Sequence, residues 1–203
     1  MDVKETLIVV LVLFVCSVVF EIILSSMKKK RQNELMGLFL AGELEQFDEF
    51  LNRKSTKFFI PIYNSIVLNV NKAILIKDEK LLNEMLNKAE KIKMNDEQKT
   101  HLYSKAFSYY VSTDNNLGKE QTYKKVLECR DSQLKKYVMM VYDVFVKKGF
   151  AYLNEAEEML KIAEGEDKNN LLTLIGTMYI NKKDIEKSEY YFRKIGNSEE
   201  GKQ

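Results

Sequence analysis

The stretch "LLTLIGTMYINKKDIEKSEYYFRKI", Leu171 to Ile195, decides how the rest of the chain is read. Apolar residues recur three and four apart on both sides of the polar "NKKD". That spacing predicts two amphipathic helices meeting at a turn near Asp184. Gly176 falls inside the first helix, where glycine costs about 1 kcal/mol against alanine. A helix that keeps such a residue needs a compensating reason.

The surrounding composition points the same way. The chain has 203 residues, 45% of them hydrophobic, with one proline and eight glycines. Few breakers and long periodic stretches predict an all-α protein. Cys16 and Cys129 supply neither a disulfide framework nor a metal set. After position 31 the chain carries 27 basic and 27 acidic residues, and a neutral body argues against a generic nucleic-acid binder.

"LIVVLVLFVCSVVFEIIL", Leu7 to Leu24, is 18 residues with a single charge, Glu21. As a helix it extends about 27 Å, close to the thickness of a bilayer's hydrocarbon core. A cleaved signal would start basic and end at small residues, whereas this chain starts "MDVKE" and has no such site. Cys16 follows Val15 where a lipoprotein signal places a small residue, so Cys16 is read as a packing or lipid-facing side chain. The expectation is an uncleaved anchor over 7–26, preceded by a short extracytoplasmic N-terminus, 1–6. Lys28, Lys29, Lys30 and Arg31 form a basic flank over 27–31, which predicts N-terminus out and the following domain cytoplasmic. That flank also suits anionic lipid head groups. Glu21 is the intramembrane candidate for pairing with another membrane helix.

Within Leu171–Ile195, the residues Leu172, Ile175, Gly176, Tyr179, Ser188, Phe192 and Ile195 resemble a tetratricopeptide repeat, a pair of antiparallel helices of about 34 residues. The resemblance implies that Gly176 lets the neighbouring helix approach closely. Lys183 at the turn, where the family has glycine, and Ile195, where it has a small residue, depart from its pattern. Similar second-helix triplets occur at Ala156, Leu160, Ala163; at Leu82, Leu86, Ala89; at Thr122, Val126, Cys129; and, most weakly, at Phe47, Leu51, Lys54. Their first members are separated by 35, 40, 34 and 32 residues. This predicts about five helical hairpins, near 32–54, 57–92, 97–129, 133–164 and 168–195, with turns at Gly42, Asp78, before Gly118, at Gly149 and at Asp184. Together they would form a TPR-like α-solenoid over 32–195, followed by a polar tail, 196–203. The resemblance implies a groove lined mainly by first helices.

No phosphate-binding loop, zinc motif or nucleophile elbow is present. His101, the sole histidine, reads as solvent-facing, and Cys129 reads as packing. Glu157 and Glu158 sit among lysines and read as a solvated face. Phe107, Tyr109, Tyr110, Tyr190, Tyr191 and Phe192 read mostly as core, with some tyrosines left to face a groove. Thr173 and Thr177 stand where some relatives of the resembled family carry a Lys/Asn clamp for a peptide carboxylate, which argues against that clamp here. The expectation is a non-catalytic membrane adaptor that needs no cofactor, metal or small-molecule substrate and binds a protein or peptide partner. An extracytoplasmic assembly or secretion factor of inverted topology, and a helical enzyme-regulatory domain, are the alternatives.

Overall fold

The computed structural model describes the backbone of residues 3–195 and the side chains of residue 17 and residues 19–195. The protein is all-α, with no strand among the described residues. The chain forms two compact units, Met1–Lys93 and Met94–Gln203.

The first unit opens with α1 (Val3–Leu40), one helix of 38 residues and so about 57 Å long. The expected anchor, the basic flank and the first repeat helix are thus one uninterrupted element. Most side chains of the expected anchor, residues 7–16 and 18, lie outside the described residues, as does the polar tail. Among the described residues no helix is long and apolar enough to cross a membrane. Val19, Phe20, Ile22 and Ile23 are nonetheless all exposed on α1, Phe20 by 61% and Ile22 by 63%. They take no part in the unit's core.

After a turn at Gly42, α2 (Leu44–Asn52) runs back along α1. Leu35 meets Phe47, Phe50, Leu51 and Ile60 in a buried cluster flanked by Leu38 and Phe39. A short helix, α3 (Lys54–Phe59), follows and packs against α1. The sequence pattern does not show α3, because six residues are too few to display a helical period. Pro61 stands at the N-cap of α4 (Ile62–Leu75), where its missing N–H costs nothing. The next helix, α5 (Glu79–Ala89), starts from Asp78, whose carboxylate accepts from Leu81 N at 2.9 Å. Ile66, Val70 and Ala73 on α4 and Leu82, Met85 and Ala89 on α5 are buried.

The second unit contains α6 (Asp96–Ser112), α7 (Asn116–Leu127), α8 (Gln133–Val141) with a π-helical turn over Tyr142–Val146, α9 (Leu153–Leu160), α10 (Gly165–Asn181) and α11 (Ile185–Arg193). Asn95 and Gln98 close a reciprocal capping box at the start of α6. On α10, a Cβ built onto Gly176 would come within 2.8 Å of the Phe192 ring on α11. The close contact replaces what the helix loses in propensity.

Five turns share one geometry. The second residue after each first helix has a left-handed backbone: Gly42, Lys77, Asp114, Lys148 and Lys183, with φ of 74°, 56°, 55°, 55° and 66°. They are spaced 35, 37, 34 and 35 residues apart. In four of them the next N–H reaches back five residues, as from Asp78 N to Ala73 O at 2.8 Å and from Asp184 N to Tyr179 O at 2.9 Å. This is the Schellman closure, normally completed with glycine. The fourth turn is one residue longer, with Gly149 N bonding Asp143 O at 2.8 Å. The extra residue is the π-helical turn, in which Lys147 N bonds Tyr142 O at 3.1 Å. Asn181 Nδ2 donates to Val144 O at 3.0 Å and to Gly149 O at 2.9 Å, satisfying carbonyls beside that distortion.

The caps also set the register of the second helices. Four residues beyond the N-caps Glu43, Asp78, Asn115, Tyr152 and Asp184 stand Phe47, Leu82, Lys119, Ala156 and Ser188, all buried. The third of these is Lys119, one turn ahead of the Thr122 expected from the apolar triplet. Thr122, Val126 and Cys129 are buried too, and helical periodicity by itself does not separate registers one turn apart. Lys119 is tolerated inside because its Nζ donates to Asp114 Oδ1 at 2.7 Å. That hydrogen bond and charge hold the exposed Asp114 carboxyl below its ordinary pKa.

Candidate functional site

An open cleft of about 590 Å³ lies where α9, α10 and α11 converge. Leu160 of α9 and Leu172 of α10 supply its apolar part. Lys161, Lys168 and Lys194 stand around it, with Tyr190 and Tyr191 on the α11 side. Most of this lining comes from the second helices, α9 and α11, and not from first helices.

Glu157 organises the cleft. One of its carboxylate oxygens, Oε1, accepts from Tyr179 Oη and from Tyr191 Oη, each at 2.8 Å. The two rings stack at 5.5 Å with 13° between their planes. The ammonium groups of Lys182 and Lys187 lie 5.8 and 5.3 Å from the centre of the Tyr179 ring. Burial, then the hydrogen bond to Glu157, pushes the Tyr179 phenol up to about 12. The same causes raise Tyr191. Both phenols are donors to the one carboxylate oxygen. Lys194 Nζ sits 4.2 Å from the centre of the Tyr190 ring and donates to its hydroxyl at 2.6 Å.

The preceding interface carries the same latch. Tyr142 Oη donates to Glu120 Oε1, 37 residues before the Tyr179–Glu157 pair in both partners. Tyr142 is pushed up to about 12, first by that hydrogen bond and then by burial. There the Tyr123 ring stacks on Tyr142 at 3.7 Å with 2° between planes. The residue 37 positions after Tyr123 is Leu160. The latch is repeated, but with Leu160 at the position of Tyr123 the ring stacked on Tyr179 comes from Tyr191 of α11, and Leu160 lines the cleft.

The sequence-stated residues divide clearly. Gly176, Tyr179, Ala156 and Ser188 are buried, while Phe192, Leu160 and Ala163 are half-buried. All belong to the α9–α11 region. Lys28, Lys29 and Lys30 are exposed on α1, and Arg31 is half-buried with its guanidinium 5.1 Å from the Phe50 ring centre. Glu21 is exposed on α1. Phe107, Tyr109 and Tyr110 are core, but Tyr190 is 54% exposed. His101 is exposed, and Cys129 is buried with Sγ donating to Lys125 O at 3.3 Å. Thr173 and Thr177 spend their hydroxyls on Asn169 O and Thr173 O.

Glu157 is a correction to the sequence reading. Glu158 is exposed and pairs with Lys161 at 2.6 Å, as a solvated residue should, but Glu157 is half-buried and accepts two phenols. The Glu-to-Tyr spacing of 22 residues recurs at 120/142 and 157/179, a regularity that stands out only once the two hydrogen bonds are known. No group of three potential metal ligands occurs among the described residues. Comparison with known proteins finds no matching family model, curated protein or solved structure.

Proposed function

We propose that this chain is a membrane-anchored, non-catalytic adaptor whose tetratricopeptide-like hairpins bind a protein or peptide partner. The observation that carries the reading is the cleft over Leu160 and Leu172, ringed by three lysines and two tyrosines on a latched frame. Apolar floor, aromatic wall and positive rim suit a short acidic segment that inserts an apolar side chain. The partner's carboxylates would meet Lys161, Lys168 and Lys194. The recurring left-handed turns and the Gly176–Phe192 contact support the repeat resemblance. The exposed apolar residues Val19, Phe20, Ile22 and Ile23 and the basic run 28–31 on one continuous helix support an anchor with the domain on the cytoplasmic side.

The test is recovery of the full chain from its native membranes in mild detergent, in wild-type form and with Lys168→Glu and Lys194→Glu together. Both sites are exposed, so folding is preserved. A discrete protein that accompanies the wild type and is lost from the variant supports the reading. Identical recoveries would remove the cleft from it.

A further inference from the structure

In the first unit, α2 returns along α1 toward the basic flank, and a shared aromatic ring fixes how far. The guanidinium groups of Arg31 on α1 and Arg53, immediately before α3, lie 5.1 and 5.3 Å from the centre of the same Phe50 ring. The start of α3 is therefore level with Arg31 along α1. Ser26, the end of the expected anchor, is five residues from Arg31, about 7.5 Å of helix. The head-group layer on each side of a bilayer is about 5–7 Å deep, so the start of α3 stands at its outer edge.

What α3 and the residues after it carry suits such a place. Phe58 is 77% exposed, and Ile62, just beyond, is 64% exposed. Lys54 and Lys57 are exposed on the same short helix, as Lys28, Lys29 and Lys30 are on α1. The nearby carboxylates are engaged elsewhere: Glu34 lies 3.8 Å from Arg31 and Glu49 lies 2.8 Å from Arg53. The lysines are left as a positive field around an uncovered aromatic ring. An apolar ring among lysines next to a hydrophobic span is the composition of an interfacial segment.

The geometry points to α3 as a second membrane contact: Phe58 enters the interface of an anionic leaflet while Lys54 and Lys57 join Lys28–Lys30 on its head groups. The inference rests on residues 7–26 being an anchor, and it adds that the first unit lies against the bilayer instead of swinging from it. Two contacts at one end of α1 restrict how the unit rotates about the span.

The chain has no tryptophan, so Phe58→Trp places a single reporter at an exposed site. The full-length variant is reconstituted into phosphatidylcholine vesicles with phosphatidylserine, and Ile162→Trp, at a residue 84% exposed in the second unit, serves as reference. Expected are a blue-shifted emission at position 58, quenching by brominated lipid several-fold above that at position 162, and weak quenching by acrylamide. Adding Lys54→Glu and Lys57→Glu should reverse these signals in anionic vesicles. Protein that floats with the vesicles while position 58 remains as open to acrylamide as position 162 would overturn the contact and leave the anchor intact. Protein that does not float would overturn the anchor reading and the contact with it.

Discussion

Replacing Glu157 perturbs the second unit at the point where three helices share one atom. Its Oε1 accepts two phenol hydrogens at 2.8 Å. A hydrogen bond to a charged group contributes about 1.5–3 kcal/mol. Because Glu157 and Tyr191 are half-buried, the low end applies, and Glu157→Ala should cost about 3 kcal/mol. Glu157→Gln keeps an acceptor oxygen but loses the charge, so it should cost about half as much. Urea unfolding of the full chain in mild detergent, followed by helical circular dichroism, gives both values relative to wild type. The order Ala worse than Gln worse than wild type is the signature of the latch. Two variants that each cost under about 0.5 kcal/mol, the range of ordinary surface substitutions, would refute the reasoning.

The latch also makes stability depend on pH in a defined direction. The phenols have folded pKa values raised above their ordinary 10, Tyr142 and Tyr179 to about 12. The stability they contribute is complete below pH 10 and is lost as pH rises from 10 through 12. Urea midpoints measured across that window should fall, and Glu157→Gln should flatten the fall. Gly176→Leu should lower stability by about 1–3 kcal/mol through the Phe192 ring, and Phe192→Ala in the same chain should recover part of that loss, as a double-mutant cycle would show. Lys183→Gly should raise the melting temperature by the equivalent of about 0.5–1 kcal/mol, since glycine accepts φ of 66° without the left-handed penalty.

All five turns are legible in the sequence, because Gly42, "KDEK", "DNNLG", "KKGF" and "NKKD" interrupt helical periods with polar or glycine residues. The close contact of Gly176 is legible for a related reason: a glycine inside a strong helical pattern asks for a neighbour. Four features are not legible. α3 is shorter than two turns and shows no period. The register of α7 is ambiguous by one turn, since Lys119 looks like a surface residue until its partner Asp114 is in place. The role of Glu157 depends on Tyr179 and Tyr191, 22 and 34 residues away, and a half-buried carboxylate is indistinguishable from a solvated one until distant hydroxyls are brought to it. The cleft is harder still, since Leu160, Leu172 and Tyr191 come to it from three different helices.

The most direct measurement is site-specific photo-crosslinking in intact membranes, with a photoreactive side chain at Lys168 of the full-length protein and, for comparison, at the exposed Lys80 of the first unit. A discrete adduct at position 168 that is absent at position 80, and that disappears when Leu160→Trp fills the cleft, is the predicted result. An adduct unaffected by Leu160→Trp, or none at position 168, would contradict the account.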